Sequence, residues 1–305
     1  MTDDDVGEDG SGAFATLEAW DDPARSLVQV MRIADETITV ADLVDGQQVF
    51  TVRPSWPARK AHAELTRRGY SQAPVTDVPI GRLVTVADLD TDTATVGEVS
   101  RQAPPAMFIE EDSPLSLALR RLTDQPVLLV THRGHTTGVV TVADLEHPAV
   151  SLLILGMITA GEAALDELIE RASGGGWLPL LNEAARAEVQ AVYDDRRRHD
   201  AEFSVVRCLD LPKRVDLVSR LELAGPLGFD SNTALGRWKK TVVRVRNHLA
   251  HGSTVLSAVP RPADALAVIE EIRRFADRSW QLVADEVAVP AGAPDSGRDG
   301  PEAES

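Results

Sequence analysis

The stretches GRLVTVADL, residues 81–89, and GVVTVADL, residues 138–145, end in the same pentapeptide. Each runs from a glycine through a short β-type segment into T-V-A-D-L, and the two copies are 56 residues apart. A third TVADL occupies residues 39–43 and aligns with TVGEV at 95–99. A repeat of that period predicts two copies of one small folding unit, and so one chemistry offered twice. The copy at 39–43 reads as a lead-in strand to the first unit, with no ligand role of its own.

Working outward from the motifs, the two units share one order of elements. In the first, 49–52 (VFTV) reads as a strand, and Pro57 starts a helix over 58–68 that carries Ala61 and Leu65 at helical spacing. Gly69 stops it. Strands follow at 73–76 and 83–86, joined by a turn at Pro79–Gly81. In the second unit, 107–109 reads as a strand, and Ser113-Pro114 opens a helix with Leu115, Leu119 and Leu122. Strands at 127–131 and 139–142 flank a glycine-containing turn at 132–135.

Composition frames this reading. The 305 residues suffice for two domains with separate cores. The acidic N-terminus MTDDDVGEDGSG lacks the features of a secretory signal. The longest apolar run, 149–158, is shorter than the roughly 20 residues a membrane helix needs. One cysteine, Cys208, excludes an intramolecular disulfide and a Cys-based zinc site, and no metal site is expected. A cytoplasmic protein without membrane association is expected. The net charge is −17, of which residues 1–147 carry −12 and residues 148–286 only −2. The front half is thus a poor general nucleic-acid binder. Residues 1–22 and 287–305 have the composition of disordered tails.

With G-h-h-T-x-x-D closing each unit (h, apolar), the lead-ins, the Pro-started helices and RGYSQAPV at 68–75, the chain over about 38–147 resembles a tandem CBS domain pair. The units span about 38–91 and 92–147, within a domain of 23–147. The resemblance implies a βαββα fold for each unit. It also implies an adenosyl ligand, AMP, ATP or S-adenosylmethionine, in the cleft between them. It assigns ribose hydroxyls to Asp88 and Asp144, and a place near the phosphates to Thr85 and Thr141. A carboxylate can accept two hydroxyls at once, and a helix N-terminus offers free N–H groups to phosphate. T-x-x-D is also a helix-capping pattern that needs no ligand, and the two roles can coexist. Arg82 and Arg133 are the cations closest to the motifs.

Residues 148–286 read as an all-α bundle, with helices at 148–171, 183–206, 213–223, 232–251 and 263–285. Only Glu146 and His147 separate the second motif from Pro148. In RWKKTVVRVRNHLAHG, Trp238, Val242, Val245 and Leu249 form one apolar stripe, while Lys240, Arg244, Asn247 and His251 lie on roughly the opposite face. His251 falls at the helix C-terminus, where the dipole favours a protonated ring.

Arg246-Asn247-x-x-x-His251 in this helical setting resembles the HEPN domains, helical bundles of prokaryotic toxins and RNA-processing proteins. The resemblance implies a metal-independent endoribonuclease that requires no cofactor. In it Arg246 stabilises phosphate charge, Asn247 positions groups and His251 transfers protons during attack of a ribose 2′-OH on the adjacent phosphate. Arg246 and His251 lie about 140° apart on an ideal helix, so a homodimer is expected to complete the site. The bland alternative is a structural salt bridge for Arg246 and a C-cap for His251. His248 lies off the His251 face, and 196–199 reads as a solvated basic run.

Two functions fit. The first is a ligand-gated ribonuclease that acts on RNA. The second is a non-enzymatic CBS regulatory or scaffold protein whose bundle dimerises or docks a partner. An antitoxin-like partner is not identified by the sequence.

Overall fold

The computed structural model describes residues 37–76, 81–91, 93–198 and 204–285. The tails expected at 1–22 and 287–305, most of the turn at Pro79–Gly81, and His199 of the basic run lie outside the described residues.

The first unit comprises helix α1 (Ala41–Val44), helix α2 (Ala58–Arg68) and strands β1 (Gln72–Pro74) and β2 (Arg82–Thr85). The strand expected at 49–52 is reduced to one bridge, in which Val52 pairs parallel with Val75. Helix α2 runs from Pro57 to Gly69, whose φ of 72° supplies the left-handed stop that the sequence predicts. It buries Ala58, Ala61 and Leu65. The one-turn helix α3 (Val96–Val99) and strand β3 (Arg101–Gln102) follow, and β3 pairs with β2 in the antiparallel order β1-β2-β3.

The second unit repeats the pairing with longer elements. Strand β4 (Phe108–Glu110) pairs parallel with β5 (Val127–His132), helix α4 (Leu115–Arg121) crosses between them, and β6 (His135–Thr141) returns antiparallel to β5. Arg133 and Gly134 both take positive φ, as a two-residue hairpin turn demands.

The lead-ins are exchanged between units. The peptide at 38–41 packs on the start of α4, not on its own unit: Val40 N–H donates to the Ser113 carbonyl and Leu115 N–H to the Ile38 carbonyl. In the same way, α3 packs on the start of α2, where Ala58 N–H donates to the Ala94 carbonyl and Val96 N–H to the Trp56 carbonyl. The Gln47 side-chain amide then closes the free edge of β6, accepting from Val139 N–H (2.9 Å) and donating to the Val139 carbonyl (3.2 Å). Such a cover satisfies groups that an edge strand leaves unpaired.

The remaining described residues form a helical region: α5 (Pro148–Ser173), α6 (Glu183–Arg197), α7 (Leu211–Arg220), α8 (Asn232–Ala250), α9 (Val255–Ala258) and α10 (Pro262–Ala284). Helix α6 ends well before the expected residue 206, and a 3-10 turn at Val205–Cys208 follows. Helices α5 and α10 form the central pair. Gly161 permits their approach, since a Cβ there would lie 2.8 Å from the Phe275 ring. By length and composition alone α5 could cross a membrane, but half of its most apolar window is buried in the protein core.

The described residues therefore form a mixed α+β fold with two small sheets and a large helical region. Its cores do not divide evenly. The first unit has a small core of its own, from Val52 to Val96. A second small cluster, including Leu83, Met107, Val127 and Leu129, joins the two sheets. The core of the second unit, including Ile109, Leu115, Leu128 and Leu145, is continuous with that of the helices, including Ile154, Leu165 and Ile269.

Candidate functional site

Every T-x-x-D/E turn in the repeats folds the same way. Thr85 N–H and Oγ1 both donate to Asp88 Oδ2, at 2.9 and 2.7 Å, and Asp88 N–H returns to Thr85 Oγ1 at 3.3 Å. Thr141 N–H donates to Asp144 Oδ2 at 2.6 Å, and Thr141 Oγ1 accepts from Ala143 N–H at 3.2 Å. Thr39 with Asp42 and Thr95 with Glu98 show the same backbone-to-carboxylate bond, each at 2.7 Å. The carboxylate-to-backbone bond is thus present in all four copies, and the Thr side chain also accepts from the turn at Thr85, Thr95 and Thr141 but not at Thr39, where Val40 is the N-cap. The copy at 39–43 is not a lead-in strand: only Thr39 makes a bridge, to Pro114, and the rest opens α1. After Thr85 the chain makes a turn, and after Thr141 a 3-10 helix over Val142–Glu146.

The two motif aspartates differ electrostatically. Burial alone would raise the Asp88 carboxyl, but hydrogen bonds from Thr85 and the Arg101 guanidinium outweigh it and hold the group below its ordinary value. Arg101, on β3, lies 2.8 Å from Asp88 Oδ1. Asp144 is more deeply buried, and burial wins there over the Thr141 hydrogen bonds and the nearby His147, so its carboxyl is raised. Among the described residues no ion pair reaches Asp144. His147 instead caps α5, its Nδ1 accepting from Ala149 N–H at 3.2 Å. The cations nearest the motifs in sequence are engaged elsewhere or turned away. Arg82 donates to the Ser100 and Gly97 carbonyls of the α3 segment, and Arg133 sits at the β5–β6 turn.

In the helical region, the apolar stripe of α8 is buried as the wheel predicts, with Leu235, Trp238, Val242, Val245 and Leu249 inside. Lys240, Arg244, Arg246, Asn247 and His251 are exposed. Helix α8 runs unbroken to Ala250, and His251 is its C-cap, followed by Gly252 at φ 75°. His251 N–H donates to the Asn247 carbonyl as a backbone cap (3.2 Å), but among the described residues no side-chain hydrogen bond or ion pair joins Arg246, Asn247 and His251. Arg246 instead lies close enough to Glu162 of α5 to act on its titration.

Glu162 belongs to a buried cluster that the sequence reading missed. Arg214, 7% exposed, forms a two-pronged pair with Asp166, Nε to Oδ1 at 2.7 Å and Nη2 to Oδ2 at 3.0 Å. It also lies 3.7 Å from Glu162 Oε2 and donates to the Leu209 carbonyl. Glu162 Oε1 is buried without a partner. Burial raises both carboxyls despite Arg214. The signal was present in sequence: Glu162 and Asp166 stand four apart, on one face of a helix whose first half is apolar. Cys208 is half-buried, and burial holds its thiol above the ordinary value, against nucleophilic use.

No protein-family model and no curated protein matches the sequence. A solved structure similar in part is that of a hemolysin-like protein containing a CBS domain from Oenococcus oeni PSU. It is 18% identical, the match covers 39% of this chain and 94% of that one, and the TM-score is 0.30.

Proposed function

We propose that residues 38–147 are a CBS-type pair that senses an adenosyl ligand and biases a HEPN-like helical domain. That domain would be a metal-independent endoribonuclease, completed by dimerisation. The observation that carries the sensing half is the doubled turn, Thr85–Asp88 and Thr141–Asp144, each closing a β-hairpin of a matched unit. A ribose diol approaching Asp88 meets a carboxylate already held by Arg101. Its binding would release the guanidinium, which could then pair with a phosphate. At Asp144 a hydroxyl donor would favour the ionised carboxylate against the burial that now opposes it. The acidic front half favours AMP or S-adenosylmethionine over ATP. Coupling is supported by the core that the second unit shares with α5 and α10. A ligand shifts such an equilibrium only by its difference in affinity for the two arrangements.

The separation of Arg246 and His251 on one unbroken helix favours the second reading, a regulatory or scaffold protein without catalysis. One pair of assays decides between them. Thermal-shift titration with AMP, ATP and S-adenosylmethionine should raise the melting temperature of wild type, and Asp88→Ala or Asp144→Ala should diminish the shift. RNA cleavage by wild type, with and without ligand, should be lost in His251→Ala. Equal inertness of both proteins on all RNAs eliminates the enzyme, and an absent ligand shift eliminates the sensor.

A further inference from the structure

Between α8 and α10 lies a cavity of about 630 Å³ that neither the repeated turns nor the Arg246–His251 segment uses. Its apolar wall is formed by Leu227, Phe229, Trp238 and Phe275. The three rings pack on one another, with centroids 5.5 Å (Phe229–Trp238), 6.3 Å (Phe229–Phe275) and 4.2 Å (Trp238–Phe275) apart. Arg237, Arg274 and Arg278 also line it, against a single carboxylate, Glu271. Three arginines thus border an apolar hollow in a chain whose net charge is −17.

Their present partners leave capacity for a ligand. Arg278 donates through Nε to the Pro226 carbonyl (2.8 Å), which anchors it at the cavity edge. Arg274 is exposed and holds Glu270 only at 3.3 Å. Arg237 is exposed in the second turn of α8. A guanidinium offers five donors in a planar fork suited to carboxylate or phosphate oxygens. The volume lies within the range of pockets for small organic ligands. Arg237 and Arg246 are nine residues apart on α8, about half a turn round the helix, so the cavity faces away from the Arg246 side.

We propose that this cavity binds a small amphipathic anion, an aromatic body bearing one phosphate or carboxylate. The body would lie against the Trp238–Phe275 wall and the anion among Arg237, Arg274 and Arg278. Neither half of the chemistry suffices alone. Inorganic phosphate would find exposed, screened cations, and a neutral aromatic would leave the guanidiniums without a counter-charge.

The test uses the full chain with 1-naphthyl phosphate as the probe, followed by calorimetry and by quenching of tryptophan fluorescence. Inorganic phosphate and 1-naphthol serve as the two half-ligands. Saturable binding tighter than about 1 mM is expected for the probe, at least tenfold tighter than for either half. The double variant Arg237→Ala/Arg274→Ala should weaken it at least about tenfold, the scale of charge-assisted hydrogen bonds. Thr241→Trp, which puts an indole into the cavity from the α8 side where the aromatic body would lie, should abolish it while circular dichroism stays unchanged. Absent binding, phosphate binding as tightly as the probe, or binding that survives both variants each overturns the proposal.

Discussion

The two TVADL turns at 85–89 and 141–145 are identical in sequence, yet they sit in unequal surroundings. Leu89 closes a small core confined to the first unit, whereas Leu145 closes one that runs on into the helices. Asp88 is held below its ordinary pKa by hydrogen bonds and an arginine, and Asp144 is raised above it by burial. A repeat thus preserves the local hydrogen-bond pattern, which five residues can encode. Burial and charge depend on what the rest of the chain brings to each copy.

The largest test of this contrast is truncation of the two leucines. Leu89→Ala and Leu145→Ala should each cost about 2–5 kcal/mol, the usual range for a buried leucine. Hydrogen exchange should place the damage differently. Leu89→Ala should loosen α2, β1 and β2 alone, while Leu145→Ala should also accelerate exchange in α5 and α10. Equal spread in both variants would break the comparison.

The glycines that precede the motifs come next. A Cβ on Gly81 would lie 2.2 Å from the Phe108 ring at a φ of 86°. At Gly138 it would lie 2.5 Å from a Val44 methyl of the exchanged lead-in. Gly81→Ala and Gly138→Ala should each destabilise by about 1–3 kcal/mol in urea unfolding. Val44→Ala should rescue the second only in part, because it removes the two methyls but leaves the Val44 Cβ, itself 2.6 Å from the added carbon, and it should not rescue the first, whose neighbour is Phe108.

The smallest effects are electrostatic, and opposite in sign. The depressed Asp88 contributes stability above its unfolded-state pKa and loses it as pH falls through the folded value. The raised Asp144 works the other way: folded protein binds its proton more tightly, so its contribution grows as pH falls and is complete below the unfolded pKa. Asp88→Asn should therefore cost about 1 kcal/mol at neutral pH, and Asp144→Asn less than that. Melting curves taken down to pH 4 should show Asp144→Asn losing ground to wild type while Asp88→Asn keeps its deficit, and Asp88→Asn should converge on wild type only in more acid solution, below the unfolded-state value of 3.8.

How far the sequence was legible follows the same division. Helix α2 from Pro57 to Gly69, the stripe from Trp238 to Leu249 and the capping role of T-x-x-D could all be read, since each rests on residues a few positions apart. The strand at 49–52 and the extension of α6 to 206 were over-read, because β-type or helical composition cannot show whether a partner is present. Arg101 beside Asp88 was missed, since it joins the site through the pairing of β3 with β2. The pairing of Arg214 with Asp166 was missed for the same reason, since 48 residues separate the two. At the Arg246–His251 segment the geometric difficulty expected from sequence persists in the folded helix.

The exchange of lead-ins bears on the order in which the protein is made. The segment at 38–41 emerges from the ribosome early, but its partners at Ser113 and Leu115 come more than seventy residues later. The contact of Gln47 with Val139 spans 92 residues. Nor can the first unit close at Leu89, since α2 receives its cover from residues 94–97. The nascent chain therefore holds unfinished surfaces until both units are out, a topology of distant contacts that slows folding. A cut between residues 91 and 93 would release two fragments, each carrying the cover that belongs to the other.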